Sequence, residues 1–509
     1  MSFYVTTAIP YVNAAPHLGH ALELVQADVL ARHRRLRGQR VRFLTGTDEN
    51  ALKNVTAAAA AGVDVAAFVT ANADRFAALR PVLDLSFDDF IRTAADPRHR
   101  RGVETLWRRT ASNGDFYRRD YQGLYCQGCE QFYEPSERCA EHDAPLEVVT
   151  ESNWFFRLSA YAGRVLEALE SGEVRVEPAA KRNEVLAFVR AGPQDISVSR
   201  PAARAGGWGI PVPGDPSQVV YVWWDALANY VTALDGPELY RAWWQDAAER
   251  VHVIGKGIVR FHAVYWIALL LSAGLPLPTT IFVHEYLTVG GAKLSKSAGN
   301  AVDPGDLAGR FGGDALRWWL LREVAPLGDT DFTEERLRQR YHQDLANGVG
   351  NLVNRTVSLV RRYRSGVVPG SAPDGGLSSA VDRALAGSAP DGGLSSAVDR
   401  ALAGPAPDGA LSSAVDRALA GFDFRAATEA LCAAVAGGNR LVETARPWEL
   451  AKQGRDSELD AVLCELVAVC REVTRELAPF LPSGAARLAA QLGSGDRVGT
   501  PDPVFPRLA

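Results

Sequence analysis

The segment FYVTTAIPYVNAAPHLGHALELVQADVLARHRRLRGQRVRFLTGT, residues 3–47, decides the fold of this chain. It begins with the strand-like run FYVTTAI, passes through a loop with two prolines, and continues as a helix from about 18 to 37. The run RVRFLTGT at 40–47 has the composition of a second strand. Strand, helix and strand in this order predict a parallel sheet with helices on its faces. We therefore expect an α/β fold built on a Rossmann-like parallel sheet.

The rest of the chain is predicted to interrupt this sheet once and then to become helical. Short β-like segments rich in Gly and Pro break the strand–helix rhythm, which resumes at QVVYVWWDALANYV. From about 339 onward the pattern is almost wholly helical. We predict five segments: the first half of the sheet domain at 1–115, an insertion at 116–216, the second half of the sheet domain at 217–288, a connecting segment at 289–338 and a helical domain at 339–509.

A tandem repeat lies inside the predicted helical domain. SAPDGGLSSAVDRALAG fills 371–387, recurs unchanged at 388–404 and returns as PAPDGALSSAVDRALAG at 405–421. Each unit combines a Pro-Asp-Gly turn with a short Ala/Leu helix and is shorter than the usual solenoid repeat. The near-identity of the units suggests recent duplication. We expect a surface insertion, with a functional element as the alternative.

Composition limits the possible partners. The chain has 509 residues, 47% of them hydrophobic and 23% charged, which is typical of globular proteins with several domains. No apolar run reaches the roughly 18–20 residues that a membrane span needs, and the first residues lack the basic leader of a signal peptide. The net charge of −5 gives no general signal for binding a polyanion such as DNA. We expect a cytoplasmic protein with neither a membrane nor DNA as partner.

Two motifs indicate a triphosphate site. His17-Leu18-Gly19-His20 stands where a loop enters a helix, and a helix N-terminus attracts phosphate through its unpaired N–H groups. Lys293 and Lys296 lie in the glycine-flanked segment GGAKLSKSAGN, although lysine supplies only six of the 55 Lys and Arg residues. Compact, mobile ammonium groups suit an anion that moves during a reaction. A capping histidine and a solvated charged turn are the alternatives.

The cysteines indicate one metal site. Cys126, Cys129, Cys139 and His142 fall within seventeen residues as two close pairs, a spacing typical of tetrahedral zinc. Because protein ligands fill all four positions, we expect one structural Zn²⁺. Buried thiols without a metal are the alternative. The other three cysteines lie in apolar helical patterns and are expected to be inert: Cys432, Cys464 and Cys470.

The HLGH and KLSKS motifs together resemble the signature motifs of the class I aminoacyl-tRNA synthetases. Within that class, segments along almost the whole chain are similar to the methionine family: AIPYVNAAPHLGH, TGTDEN, YVWWDALANY, GKGIVRFH, NLVNR and RPWELAKQ. The resemblance implies activation of L-methionine by ATP, supplied with Mg²⁺, followed by transfer of the aminoacyl group to tRNA(Met). It also implies that the helical domain binds the anticodon and that the zinc knuckle helps to place the acceptor end of the tRNA.

The resemblance assigns roles residue by residue. His17, His20, Lys293 and Lys296 would be catalytic and would bind ATP together with Gly19 and Ser295. Asp48 would pair with the ammonium group of methionine. The remaining methionine-binding residues would be Ile9, Tyr11, Trp223, Ala226, Leu227, Tyr230, Phe261 and His262. Sulfur against aromatic edges is a favourable contact, although core packing is the alternative for the aromatic residues.

The resemblance also implies that Asn351, Arg355 and Trp448 read the CAU anticodon, since unpaired bases can be stacked on an indole and hydrogen-bonded by Asn and Arg. Arg361, Arg362 and Arg364 could contact phosphates or form a solvated helix face. Because the chain stops soon after the helical region, a monomer is expected.

The sequence departs from the family pattern near the nucleotide. Asn50 and Ala51 stand where a histidine and a glycine are usual, and Gly257 stands where an aspartate is usual. These changes put the catalytic rate in doubt. They leave open a paralogue that activates an amino acid without charging tRNA, and a class I enzyme for another amino acid is a further alternative. A catalytically inactive RNA-binding protein is made improbable by the presence of His17, His20 and Lys296.

Overall fold

The computed structural model describes residues 2–126, 131–133, 138–139, 145–294, 301–370 and 409–508. Among the predicted site residues, Cys129, His142, Ser295 and Lys296 lie outside this part of the chain, as do 371–408 of the repeats. The chain divides into two compact units. The first comprises residues 1–286 and 294–304, and the second comprises residues 287–293 and 305–509.

Sixteen strands are formed by the described residues. They are β1 Ser2–Thr7, β2 Arg40–Thr47, β3 Asp89–Arg92, β4 Phe116–Cys126, β5 Gln131–Tyr133, β6 Glu147–Phe156, β7 Arg175–Glu177, β8 Ile196–Ser197, β9 Ser199–Pro201, β10 Pro211–Val212, β11 Asp215–Val220, β12 Glu249–Gly255, β13 Thr280–His284, β14 Leu287–Val289, β15 Ala292–Lys293 and β16 Thr330–Asp331.

A parallel six-stranded sheet forms the centre of the first unit, in the order β3-β2-β1-β12-β13-β7. Residues 3–7 of β1 are all buried, as expected for a strand covered on both faces. The α/β prediction and the split of the sheet between two stretches of sequence are confirmed. One strand was not foreseen: β7 comes from the region predicted as an insertion, yet it pairs with the edge of the parallel sheet at Thr280–Phe282 of β13.

Ten helices belong to the first unit: α1 Leu18–Leu36, α2 Leu52–Ala61, α3 Val65–Ala77, α4 Leu79–Val82, α5 Pro97–Ser112, α6 Leu158–Glu170, α7 Ala179–Arg190, α8 Val222–Thr232, α9 Pro237–Tyr240 and α10 Ile267–Ala273. A 3₁₀ turn, Lys256–Ile258, follows β12, and π-helical segments occupy Arg241–Gln245 and Phe261–Trp266. The last π segment continues directly into α10, and most residues of this pair are buried.

The inserted region forms two small sheets, with the strand orders β5-β4-β6-β8 and β10-β11-β9. The longest pairing in the first of them is antiparallel, between β4 and β6. Trp107, Phe116, Phe156 and Trp224 pack their rings against one another, with centroid distances of 4.2 to 5.8 Å for the pairs that include Trp107 or Trp224. The insertion therefore continues the apolar core of the first unit.

The second unit is mainly helical. Its three short strands form the sheet β15-β14-β16. The helices are Pro304–Phe311, Gly313–Arg322, Glu334–Arg340, a π-helical segment Tyr341–Gly350, Asn351–Arg364, Ala410–Ala420, Phe424–Ala445, Pro447–Lys452, Asp456–Leu477 and Pro482–Leu492. Arg317 is fully buried and donates to the carbonyls of Pro479 and Phe480, which supply acceptors for its guanidinium inside this bundle.

Within the described ranges no single helix is long and apolar enough to cross a membrane. One pair of helices bent by 102°, Leu52–Ala61 with Val65–Val82, passes the length and composition test when taken together.

Candidate active site

The parallel sheet creates a crevice beside β1. The strand order runs outward from β1 through β2 on one side and from β12 on the other, so the connections leave in opposite directions. Ligands of such sheets bind at this switch point, outside the carboxyl ends of the strands. The loop that follows β1 carries Tyr11 and His17, and the turn that follows β12 begins with Lys256. The HLGH motif and the GKG segment therefore border one crevice.

His17 and His20 form the first turn of α1. The N–H of Gly19 donates to Nδ1 of His17 at 3.1 Å, and the N–H of His17 donates to Nδ1 of His20 at 3.0 Å. The two rings stack with centroids 3.8 Å apart. Because Nδ1 accepts in both rings, each neutral imidazole carries its proton on Nε2. The geometry therefore makes both Nε2 atoms donors, as a phosphate oxygen requires.

The segment after the KLSKS motif returns to the start of α1. The N–H of Leu18 donates to the carbonyl of Val302 at 3.0 Å. Lys293 belongs to β15, where its backbone pairs with Thr288. Gly290 and Gly291, which join β14 to β15, have φ values of 61° and 77°, a region that glycine adopts without strain. The N–H of Gly291 donates to Asp331 and lowers the pKa of that carboxyl group.

Asp48 lies immediately beyond β2 and is buried, with 2% of its surface exposed. Its N–H donates to the carbonyl of Pro10 at 2.9 Å, and it forms an isolated parallel bridge with Tyr11. Nδ2 of Asn54 donates to the Asp48 carbonyl at 3.1 Å. These contacts place a carboxylate beside Tyr11, at the carboxyl edge of the sheet.

Aromatic side chains from three elements surround the neighbouring space. Trp223 of α8 stacks on Phe261 with centroids 3.7 Å apart, and Tyr11 meets Trp223 edge to face at 6.2 Å. Nζ of Lys53 lies 4.1 Å from the centre of the Tyr11 ring, a cation–π contact. Tyr11, Trp223 and Phe261 therefore form one aromatic wall.

Tyr230 and His262 close the deep end of this group. Nδ1 of His262 lies 2.9 Å from the carbonyl of Ile258 and must donate to it, so Nε2 accepts the Tyr230 hydroxyl proton at 2.7 Å. Burial lowers the pKa of His262 to about 4 and raises the pKa of Tyr230 well above its usual value. Both groups are therefore neutral at physiological pH, and this buried pair is uncharged.

The structure brings most of the residues predicted to bind methionine together. Ala226 and Leu227 are buried on α8 beside Tyr230, and Ile9 packs against the same core. Other polar groups at this edge of the sheet belong to none of the sequence motifs. Glu23 of α1 meets His284 at 3.1 Å, and burial raises the pKa of Glu23, although the hydrogen bond from His284 opposes the shift. The position of Glu23, one helix turn after His20, was the sequence feature that could have indicated it.

Lys256 and Lys181 both approach Glu285, at 3.1 and 3.4 Å. Glu285 follows β13 directly, so this cluster also lies at the carboxyl edge of the sheet. The scarcity of lysine in the sequence was the signal that could have identified it, since both lysines belong to the set of six.

Two departures from the family pattern fit the local structure. Ala51 precedes α2 with a φ of −68°, so the backbone does not need glycine there. Its side chain is fully buried and packs in a small cluster with Tyr221 and Val222. Asn50 donates through Nδ2 to Asp225 at 2.6 Å. Gly257 lies in the 3₁₀ turn after β12 and brings no carboxylate.

Two of the four predicted zinc ligands are visible. Cys126 ends β4 and Cys139 follows the bridge between Arg138 and Pro145, and each is only 1% exposed. Within the described ranges no group of three or more potential ligands could hold a metal ion. Cys129 and His142, the other members of the predicted set, lie outside those ranges.

The predicted anticodon residues lie on two helices of the second unit. Asn351 and Arg355 are one turn apart on Asn351–Arg364, the first exposed and the second half-buried. Trp448 of Pro447–Lys452 is 38% exposed, unusual for so large an apolar ring. Arg364, by contrast, pairs with Asp456 and Asp460 of the neighbouring helix and is used inside the unit.

The fold and the crevice define a nucleotide-binding α/β protein with an additional helical unit. Comparison with known proteins then gives the family. The model described as tRNA synthetases class I (M) matches residues 3–146 and 135–357. The methionine--tRNA ligase of Rhizobium meliloti is 39% identical over 99% of this chain and 98% of its own length. The corresponding ligase of Mycobacterium bovis is 39% identical over 96% and 92%.

Solved structures agree with the sequence comparisons. Mycobacterium tuberculosis methionyl-tRNA synthetase in complex with methionyl-adenylate superposes with a TM-score of 0.89 at 36% identity, covering 99% of this chain and 100% of that one. The chain therefore belongs to the class I tRNA synthetase family of the methionine type.

Proposed function

We propose that the chain performs the methionine–tRNA ligase reaction with the crevice beside β1 as its active site. In this reaction ATP activates L-methionine to methionyl-adenylate, pyrophosphate leaves, and the aminoacyl group passes to the terminal adenosine of tRNA(Met). The observation that carries the assignment of the site is the pair of Nε2 donors on His17 and His20, held at a helix N-terminus at the switch point of the sheet.

Activation needs no protein nucleophile, because the carboxylate of methionine attacks the α-phosphorus of ATP. The oxygen of the leaving pyrophosphate gains charge as the bond breaks. Nε2–H of His17 and of His20 would donate to phosphate oxygens, together with the start of α1 and the N–H of Gly19. Lys293, Ser295 and Lys296 would complete the site. ATP enters with Mg²⁺ as the substrate.

Methionine would bind between Asp48 and α8. Asp48 would pair with its ammonium group, while Tyr11, Trp223 and Phe261 supply aromatic surface for the thioether. Tyr230 and His262 are uncharged at the deep end and would give a methyl–sulfur group a neutral environment. Ile9, Ala226 and Leu227 provide the remaining apolar surface.

The second unit would bind the anticodon. Trp448 offers an exposed indole for stacking, and Asn351 and Arg355 offer hydrogen-bonding groups on one helix face. The division into sheet, insertion and helical domain at the predicted bounds is part of the proposal, as are a monomeric state and a cytoplasmic location. Sedimentation of the purified chain at micromolar concentration tests the monomer.

One structural Zn²⁺ would be held by Cys126, Cys129, Cys139 and His142. Three thiolates and an imidazole are a set that zinc prefers, and the burial of Cys126 and Cys139 suits a closed site. The metal would supply folding energy to the knuckle and would take no part in the reaction.

Exchange of radioactive pyrophosphate into ATP, measured with each of the twenty amino acids, tests the activation step. We expect exchange with methionine and at least a hundredfold less with the others. Charging of tRNA(Met) tests the transfer step. Exchange with another amino acid in place of methionine would overturn the substrate assignment, and exchange without charging would favour the activating paralogue.

A further inference from the structure

Asn50 stands between two carboxylates. Its backbone N–H donates to Oδ1 of Asp48 at 3.3 Å, and its side-chain Nδ2 donates to Oδ2 of Asp225 at 2.6 Å. Asp48 follows β2, whereas Asp225 lies on α8, 175 residues later in the chain than Asn50. One residue therefore joins two separate segments through donors of its own.

Asp225 is held in place from its other side. Oδ1 of Asp225 accepts from Nε2 of His99, and Nδ1 of that ring lies 2.7 Å from the hydroxyl of Thr232. His99 and Asp225 have no exposed surface. A Cβ added to Gly102 of α5 would lie 2.3 Å from Cγ2 of Thr232, so α5 and α8 are in close contact here. The carboxylate that accepts the hydrogen bond from Asn50 is thus part of a packed contact between two helices.

The two segments that Asn50 joins carry opposite ends of the proposed methionine pocket. Asp48 would hold the ammonium group, while α8 carries Trp223, Ala226, Leu227 and Tyr230 toward the thioether. Methionine is flexible, so an accurate distance between these ends is needed to select it among amino acids of other lengths. The hydrogen bonds of Asn50 connect the two ends directly.

We propose that Asn50 is a positioning residue that sets the spacing between the ammonium-binding and thioether-binding ends of the pocket. It does so by bridging Asp48 to the Asp225–His99 pair. The side chain must be a donor without negative charge, because it faces a buried carboxylate. An ionised aspartate there would place two negative charges in contact and would not donate to Asp225. The inference rests on the proposed role of Asp48.

The test compares methionine and ATP kinetics in the pyrophosphate exchange assay. Wild type is measured first. A lack of methionine-dependent exchange in wild type would contradict the proposed function, whereas the Asn50 proposal is judged from the variants. In Asn50→Ala the KM for methionine should rise roughly tenfold, and in Asn50→Asp more than thirtyfold. The KM for ATP should stay within twofold in both. Asn50→His, which keeps a donor, should stay within threefold of wild type for both substrates.

Asn113→Ala provides the matched control. Asn113 also uses Nδ2 to bridge two helices, by donating to the carbonyl of Ser272, but it lies away from the crevice. This variant should leave both KM values within twofold. The inference is overturned if Asn50→Asp binds methionine as wild type does. It is also overturned if the Asn50 variants raise both KM values together and lower the melting temperature no less than Asn113→Ala does, since that result marks a purely structural role.

Discussion

At the scale of single residues, the six lysines show how an arginine-rich chain uses an ammonium group. Lys53 lies over the ring of Tyr11, while Lys181 and Lys256 approach Glu285 from two sides. An ammonium group is compact and strongly hydrated, and it can exchange partners where a planar guanidinium fork is constrained. Lys293 and Lys296 are proposed to hold pyrophosphate as it leaves.

His17 can be tested without disturbing the helix that it caps. Asn is a strong N-cap residue and can accept from the Gly19 N–H, but it cannot reproduce the Nε2 donor. We expect His17→Asn to lower the turnover number of methionine-dependent exchange by roughly 10²–10³-fold, as the loss of a transition-state donor does. Thermal unfolding should change little. Exchange kinetics with saturating ATP and methionine measure the effect.

His17→Ala separates the two roles. It removes the cap as well as the donor, so it should lose the same activity and an additional ~1 kcal/mol of stability. If His17→Asn kept more than half of the wild-type turnover number, His17 would be a capping residue only.

His262 makes stability depend on pH. Its pKa is about 4 because burial disfavours the imidazolium form, whereas the unfolded chain titrates near the ordinary value of 6.5. The stability that this difference supplies is present above pH 6.5 and is lost as the pH falls toward 4. Between pH 7 and pH 5 the loss should reach about 2 kcal/mol for this group. His252, whose pKa burial lowers well below its ordinary value, adds to the loss in the same direction.

Urea unfolding at pH 7 and pH 5 measures this dependence. His262→Gln should be less stable at pH 7 but should lose less on acidification, because one buried titrating ring is absent. Tyr230→Phe removes the hydrogen bond to Nε2 of His262 and keeps the imidazole ring buried. The stability lost between pH 7 and pH 5 should therefore be the same in this variant as in wild type. Equal losses in His262→Gln and wild type would contradict the burial argument.

Sequence motifs indicated residues whose proposed roles depend on local patterns, and they could not indicate residues that depend on distant contacts. His17 and His20 are three residues apart, so their spacing places both on one helix turn, and the KLSKS motif was needed to predict a shared site. The partners of Asn50 and His99 are separated from them by 175 and 126 residues. The contact between α5 and α8 brings His99 to Asp225, and the hydrogen bond of Asn50 joins the segment after β2 to the same carboxylate. No local pattern encodes either contact.

At the scale of secondary-structure elements, long periodic segments were predicted well and short ones were not. The second strand was placed at 40–47 and is observed at Arg40–Thr47, and the first helix was placed within one residue of Leu18–Leu36. β7 spans only three residues, too few to show periodicity. The π-helical segment Phe261–Trp266 has the same apolar pattern as an α-helix, so sequence could not distinguish the two.

The proposed zinc knuckle is the element whose chemistry can be tested most directly. We expect about one zinc per purified chain by atomic emission, and loss of the metal in Cys129→Ser. Methionine-dependent exchange should persist in that variant, because the crevice is built on the parallel sheet. Charging of tRNA should fall by at least tenfold, since the knuckle is proposed to place the acceptor end.

Cys432→Ser is the matched control for the zinc measurement. Burial raises the pKa of Cys432 to about 12, so its thiol stays protonated and is a poor metal ligand. Zinc content should be unchanged in this variant. Wild-type chain purified without chelators and found free of zinc would leave the knuckle as a cluster of buried thiols.

At the scale of the whole molecule, the two compact units are proposed to serve two recognition tasks. The crevice beside β1, with Asp48 and the aromatic wall, belongs to the first unit. Asn351, Arg355 and Trp448 belong to the second. Activation uses only small substrates, whereas transfer also requires tRNA. Substitutions in the helical part of the second unit, residues 305–509, should therefore affect transfer and leave activation intact.

This can be tested by making the same substitution at two positions of one helix, Arg355 and Arg364. Arg355 is half-buried near Asn351, while Arg364 is paired with Asp456 and Asp460 within the unit. We expect Arg355→Gln to raise the KM for tRNA(Met) by at least tenfold, since a base contact is worth about 1–3 kcal/mol. Trp448→Ala should have a similar effect through lost stacking. Pyrophosphate exchange should stay within twofold of wild type in both.

Arg364→Gln should give the opposite pattern. The loss of its two ion pairs should lower stability by up to ~1 kcal/mol, because the pairs are partly exposed, and the KM for tRNA(Met) should change by less than twofold. A tRNA carrying an altered anticodon provides the second comparison. Wild type should charge that tRNA much less efficiently than tRNA(Met). In Arg355→Gln, which has already lost its anticodon contact, the change of anticodon should lower charging only a little further. If Arg355→Gln and Arg364→Gln affected charging equally, the helix would contact tRNA through general charge and would not read the anticodon.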